Sequence, residues 1–280
     1  MTDAPDIQPG QSLELLKELH ILTRDGKLNQ DSRRKLKQVN HLVQFIAPLI
    51  EESLKKKAEL TLVDHGAGKS YLGFILHDLC LKARKGRSRV VGIETRAELV
   101  ASSRALAARL GFAGMEFLHL PAAQAAAGVA GPVDIVTALH ACNTATDDAI
   151  DFALAKGAQS VVLVPCCQAE VATHLRQSKA RMDGHPLGEL FRHALHTREF
   201  GSHLTNVLRC LRLEAHGYQV TVTELVGWEH AVKNELIVAR RSAAPEQSGK
   251  RAAMQLQALL KQFKLEEMKP RFAVSQVLQA

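Results

Sequence analysis

Aromatic side chains are scarce in this chain. Phenylalanine, tyrosine and tryptophan make up 4% of it, and Trp228 is the single tryptophan. That argues against a platform for stacking the bases of single-stranded nucleic acid. Cysteines are few and odd in number: Cys80, Cys142, Cys166, Cys167 and Cys210. Five thiols in 280 residues do not suggest a disulfide framework and point to a reducing compartment. No apolar run approaches the ~18 residues of a membrane span. The polar, acidic N-terminal stretch does not read as a signal peptide. Together these absences predict a soluble cytoplasmic protein. The length suits one large α/β domain with additions, or two small domains.

Two glycines are also missing from the most conspicuous motif. Residues 64–70 read DHGAGKS, and their tail resembles a phosphate-binding loop. A loop of that type needs glycine five positions before the final Gly-Lys-Ser, and Val63 stands there. A stiff β-branched residue does not make the required curl. Asp64 follows at once, and its carboxylate would repel a triphosphate. The third glycine of a dinucleotide fingerprint would fall at Tyr71, so that pattern is incomplete too.

What remains is strand 60–64, a glycine-rich turn and a helix over 71–84 with apolar spacing at Leu72, Ile75, Leu76 and Leu79. Gly66 and Gly68 let the backbone approach a ligand closely. Lys69 reads as a solvated residue in the first turn of the helix. A second strand, 89–94, ends in Glu94, where an acid can accept hydrogen bonds from both hydroxyls of a ribose. A ligand with an adenosine ribose and no phosphate fits this pair of loops. S-adenosylmethionine is such a ligand, and its positive amino-acid end suits Asp64.

The alternation continues. The spacing predicts helix 96–110, strand 115–120, an alanine-rich stretch over 122–130, strand 133–139, helix 145–156 and strand 159–164. A polar, histidine-rich segment spans 168–200. Helix 202–216 and two strands, 218–225 and 234–240, complete the sheet, with the last strand expected antiparallel between the fifth and sixth. Before the sheet, Ser12–His20 has a helical pattern. A long helix capped by Asp31 or Ser32 runs to about Lys57, with Pro48 expected to kink or divide it. Residues 1–11 read as disordered and 242–250 as a linker. A short amphipathic helix follows, carrying Met254, Leu256, Leu259, Leu260 and Phe263, to dock on the domain or on a partner. The expected divisions are an N-terminal helical extension over 1–57, the sheet domain over 58–241, and a linker with C-terminal helix over 242–280.

The formal net charge is +7. Arg33, Arg34, Lys35 and Lys37 form one basic cluster and Lys55–Lys57 another. A third, Lys82 to Arg89, reads as a solvated loop. The first lies on a helix able to cover the site, and suits either RNA phosphate or bulk solvent.

Ligands of such sheets bind beyond the carboxyl ends of the strands. There the loop after strand four reads HACNTATD from His140, and the loop after strand five reads PCCQ from Pro165. Three readings of His140, Cys142, Cys166 and Cys167 stand. Zinc is one, although adjacent cysteines in an extended chain point apart. A cysteine nucleophile with His140 as base is another. The preferred reading is a pocket lining of small polarizable residues, with His140 as a general base or substrate contact.

The pieces VDHGAGKSYLG, GIE, ALHACNTATD, VPCC and KNELIVAR resemble the class I S-adenosylmethionine-dependent methyltransferases over about residues 30–240. More narrowly, they are similar to a group with a D-x-G-x-G-K motif, an L-H-x-C motif and a C-C pair. That group includes the methyltransferase-like half of the glutathione S-transferase C-terminal domain-containing protein. The resemblance implies a doubly wound, seven-stranded Rossmann-like α/β sheet and transfer of a methyl group, without naming the acceptor; the basic cluster suits RNA, and a protein acceptor is equally open. The resemblance also implies that Asp64, Gly66 and Gly68 hold the methionine end of S-adenosyl-L-methionine, that Glu94 binds the ribose, and that Leu139 adjoins the cofactor. It puts His140 and Cys142 at the methyl-transfer site and implies no metal. Asn143 departs from the expected aspartate or glycine. Leu120-Pro121 supplies no acid or amide after strand three, so the adenine contact has no assigned residue. A non-catalytic scaffold of the same fold, using its C-terminal helix as the contact, is the alternative.

Overall fold

The structure is a computed structural model, and it describes residues 7–28, 30–84, 88–139, 143–165, 168–177, 184–225, 235–242 and 246–274. The first strands form because β-branched and apolar residues run without interruption. β1 (Thr61–His65), β2 (Arg89–Glu94), β4 (Ile135–Leu139) and β5 (Ser160–Val164) are buried almost throughout. That is the pattern of parallel strands covered on both faces. β3 (Met115–His119) is more open and lies at the edge.

The seven strands run in the order β3-β2-β1-β4-β5-β7-β6. Pairing is parallel from β3 to β5. β7 (Glu235–Arg241) enters antiparallel between β5 and β6 (Tyr218–Glu224), as the sequence predicts. The order reverses at β1 and β4, which opens a crevice at their carboxyl ends.

Helices cover both faces. α3 (Tyr71–Leu76) and α4 (Ala97–Arg109) lie on one side, together with α1 (Leu13–Glu18) and α2 (Gln30–Lys56) of the N-terminal region. α5 (Ala122–Gly128) and α6 (Ala145–Ala155) pack on the other. α7 (Glu170–Gln177), α8 (Ala194–Ala215) and α9 (Glu246–Gln262) enclose a third apolar cluster, centred on Leu175, Leu208, Leu256 and Leu260.

Several expectations change. α2 begins at Gln30, so Asp31 and Ser32 lie inside it, and it passes Pro48 as one helix. Residues 7–11 are ordered against the fold: Gln11 is buried and Ile7 packs on the core. The helix after the glycine turn ends at Leu76 and continues as a π-helical turn, His77–Leu81. There Asp78 is drawn inward. It accepts the Ser12 amide at 2.8 Å and pairs with Lys82 at 2.5 Å, fastening the N-terminal region. The third basic cluster is therefore not simply solvated: Arg84 also pairs with Glu51, and Arg89 with Glu116. α8 starts eight residues before the expected 202. α9 starts at Glu246, inside the expected linker, and docks on α8 through Leu256, Leu260 and Phe263, while Met254 stays exposed. Among the described residues, no helix is long and apolar enough to cross a membrane.

Candidate active site

The turn after β1 is built on positive backbone angles. Gly66 and Gly68 have φ of 69° and 58°, and Ser70 has φ of 53°. Such angles are cheap for glycine and costly for serine, which marks Ser70 as a strained position. Ser70 caps α3, so Lys69 precedes the helix rather than lying in its first turn. Lys69 is exposed.

Asp64 and Glu94 flank this turn in different states. Asp64 is 2% exposed and accepts a hydrogen bond from Thr137 Oγ1 at 2.8 Å. Burial pushes its pKa up to about 6, against the opposing pull of the Thr137 and Ser70 hydroxyls and the Gly73 amide. The Ser70 hydroxyl lies beside the carboxylate without a fully formed bond.

Glu94 is saturated with donors. Oε2 accepts from the Gly68 amide at 2.8 Å and Arg96 Nη2 at 3.2 Å. Oε1 accepts from the amides of Thr95 and Arg96 at 2.9 and 3.1 Å and from Arg96 Nε at 3.0 Å. Burial alone would raise its pKa, but the bonds from Arg96 and the Gly68 amide outweigh it and hold the carboxyl at about 2. The bond from Gly68 ties the glycine turn of β1 directly to the acid that ends β2. Arg96 is the partner free to leave, since its side chain is 59% exposed.

Beside Glu94 lies a cavity of about 360 Å³, lined among others by Gly66, Ile93, Arg96, Leu120, Ala145 and Asp148; Asp64 is buried behind the turn and does not line it. The cavity opens at the carboxyl ends of β1, β2 and β3, on the α5–α6 side of the sheet. Leu139 ends β4 and is half-buried.

His140, Cys142, Cys166 and Cys167 lie outside the described residues, and so does Trp228. Their stems are neighbours: Leu139 pairs with Val164 across β4 and β5. Asn143, the first described residue after β4, has φ of 51°. It is held at both ends: its side-chain oxygen accepts from the Ala169 amide at 3.2 Å, and its carbonyl accepts from Arg209 Nη2 at 2.8 Å.

Sequence reasoning did not find Arg209. The residue is 1% exposed, in the middle of α8, and it forms two bonds to Asp147 at 2.9 and 2.6 Å. It also donates to Asn206 Oδ1 at 3.1 Å. Asn206 accepts from Gln168 and donates to Glu235, at 2.8 and 2.7 Å. One buried network thus binds the loops after β4 and β5 and the head of β7 to α8. No local pattern signals a pair separated by 62 positions. The two described cysteines, Cys80 and Cys210, are free, and burial pushes their thiols up to about 11 and about 12. Thiols so hard to ionise are poor nucleophiles. Among the described residues no group of three His, Cys, Asp or Glu side chains is placed to hold a metal.

A family profile described as "Methyltransferase domain" matches residues 34–174. No curated protein matches the sequence. Solved structures of similar shape include magnesium protoporphyrin IX methyltransferase of Synechocystis PCC 6803 with bound SAH, at 14% identity and a TM-score of 0.47, covering 81% of this chain and 94% of that one. The SAH-bound methyltransferase PaMTH1 of Podospora anserina is 12% identical with a TM-score of 0.45, covering 84% and 89%. An rRNA methylase of Streptococcus thermophilus is 11% identical with a TM-score of 0.44, covering 71% and 96%.

Proposed function

Because this chain belongs to the methyltransferase domain family, matched over residues 34–174, we propose that it transfers a methyl group from S-adenosylmethionine to an RNA acceptor in the cytoplasm. The observation that carries the cofactor reading is the Gly68–Glu94 bond at the mouth of the strand-end cavity. It fixes a glycine turn and a charged acid on one rim, as a ribose with free hydroxyls requires. The residues fit the cofactor. Ile93, Leu120, Ala122 and Ala145 give the cavity an apolar stretch for an adenosine, and among the described residues that line it the one arginine, Arg96, is already engaged by Glu94.

In this reading Asp64, Gly66 and Gly68 hold the amino-acid end, and Glu94 takes the ribose hydroxyls as Arg96 swings out. Leu139 bounds the site toward β5. When bound, the sulfonium supplies a methyl group that departs leaving its bonding pair on sulfur. The chain then acts mainly by placing the acceptor in line. His140 is the base for an acceptor that must lose a proton, and Cys142 lines the path. Their group is the D-x-G-x-G-K, L-H-x-C and C-C group that includes the methyltransferase-like half of the glutathione S-transferase C-terminal domain-containing protein.

RNA is favoured by a basic margin. Lys17, His20, Arg24 and Ser32 line one groove and His20 and Lys69 the next, beside the glycine turn, with Glu18, which pairs with Arg109, in both. Arg33 and Lys37 are exposed on the same end of α2, where Arg34 and Lys35 also stand in sequence. Less favours the scaffold alternative, because Leu256, Leu260 and Phe263 are taken up by packing on α8, although Met254 stays exposed.

Calorimetric titration with S-adenosylmethionine, S-adenosylhomocysteine, ATP and NAD tests the cofactor. The two adenosyl ligands should bind, and Glu94→Ala should abolish both. Binding of ATP alone sinks the reading. Affinity for bulk tRNA and rRNA should fall steeply with salt; no salt-dependent binding removes RNA as the acceptor.

A further inference from the structure

The sheet ends in two edge strands, and the fold treats them differently. β3 is short and guarded: Arg104 donates to the Phe117 carbonyl through Nε and Nη2 at 2.9 and 2.5 Å, and Glu116 pairs with Arg89. β6 has seven residues, YQVTVTE, with no proline, no lysine and its charge only at the last position. Edge strands of natural sheets are normally blunted by such residues or covered by a helix. α9 does not cover this one. It stands off the strand and leaves a groove of about 670 Å³, lined by Tyr218 and Val220 on one side, Arg251 and Gln255 on the other, and Glu214. Gln219, Thr221 and Glu224 are exposed, and Val222 is 50% exposed.

This edge is complementary to itself. Residues directly opposite in an antiparallel pair share one face of the sheet. A two-fold axis through Thr221 uses the whole strand: Thr221 meets its own copy, Val220 meets Val222, Gln219 meets Thr223, and Tyr218 meets Glu224. Val220 and Val222 of both copies then form one apolar patch. The charges match as well. β7 places Arg241 opposite Tyr218, with the guanidinium carbon 5.7 Å from the centre of that ring. Glu224 of a second copy therefore arrives at Tyr218, within reach of Arg241 and of Arg251 in the groove. The acid already there, Glu214, is opposed by two arginines. Within its own chain Glu224 stands opposite Glu235, a like charge.

We propose that β6 is a dimer interface, which joins two copies of this chain edge to edge in an antiparallel pair centred on Thr221. The contact is isologous and closes on itself. It runs the two seven-stranded sheets into one. β6 lies at the opposite edge of the sheet from β3, so each copy keeps its own strand-end cavity.

Sedimentation velocity on the whole protein over a range of concentrations should show the dimer. Val222→Lys should raise its dissociation constant about 10- to 100-fold, because a solvated ammonium replaces a valine at the seam. Far-UV circular dichroism of that variant should match the wild type, since the side chain is already half exposed. Glu224→Arg and Arg241→Glu should each abolish the dimer alone, because each sets like charges together at both ends of the seam. An equimolar mixture of the two should dimerise again, since both ends of the mixed pair then set arginine against glutamate. Within one chain these positions lie at opposite ends of the β6–β7 hairpin, so only a second copy can produce that rescue. A dimer that Val222→Lys leaves intact overturns the inference, as does a mixture that stays monomeric. A wild-type protein that is monomeric throughout overturns it too, and leaves the edge to an extended segment of some other protein.

Discussion

Asp64 puts stability and ligand binding in opposition, and the conflict has a measurable size. Its carboxyl titrates at about 6 in the fold against an ordinary 3.8. A gap of roughly two units corresponds to ~3 kcal/mol. The sign follows from the direction. The folded state holds this proton more tightly than the unfolded state does. The stabilisation it gives is complete below about pH 4 and is lost as pH rises through about 6. Above that, the fold carries a buried charge that Thr137 and the Gly73 amide only partly satisfy. Asp64→Asn removes the titration and retains an acceptor for Thr137. Urea unfolding of the two proteins from about pH 4 to about pH 8 should show the variant gaining up to ~3 kcal/mol on the wild type as pH rises. The same variant should bind S-adenosylmethionine poorly, and wild-type affinity should strengthen through about pH 6 as the carboxylate forms. Saturating S-adenosylhomocysteine should shrink the pH dependence of the wild type, because a cation beside the carboxylate lowers its pKa. A stability difference that does not change with pH would refute the argument.

Arg209→Met should cost about 3–5 kcal/mol in urea unfolding, because it strands the buried carboxylate of Asp147. The Arg209→Met, Asp147→Asn pair should recover part of that loss; a double variant no better than the single would mean that the charge is not what matters. Gly201 lets α8 lie directly on α7: a Cβ there would fall 2.7 Å from the Cα of Ala172. Backbone cannot yield as a flexible side chain does, so Gly201→Ala should lower stability by about 1–3 kcal/mol in a thermal melt.

The parts of this molecule legible in its sequence are those where one local period or one loop decides the outcome. DHGAGKS between an apolar strand and an amphipathic helix has few other solutions. Two strands without a helix between them, at the end of an alternating chain, force the last one antiparallel. The π-helical turn at His77–Leu81 was invisible, because Leu72, Ile75, Leu76 and Leu79 satisfy an ordinary α-helical period. Within it Asp78 accepts the Ser12 amide, a contact 66 positions away in sequence. The start of α8 is hidden in a polar, histidine-bearing segment with no clear apolar period, and it is packing on α7 and α9 that fixes it. Asp147 stands within the motif after β4, but only the fold joins Arg209 to it.

The position of β7 between β5 and the edge strand β6 has a consequence for the order in which the chain is made. β5 is buried along its whole length, and its outer edge is closed only by β7, whose pairing begins at Ile237. On the ribosome, β5 therefore emerges long before the strand that will cover it. During that interval an apolar edge is open to any extended peptide, including that of a neighbouring nascent chain. The closure of β7 also delivers Glu235 to Asn206, so that the last strand of the sheet both seals the edge and completes the buried network around the loops after β4 and β5.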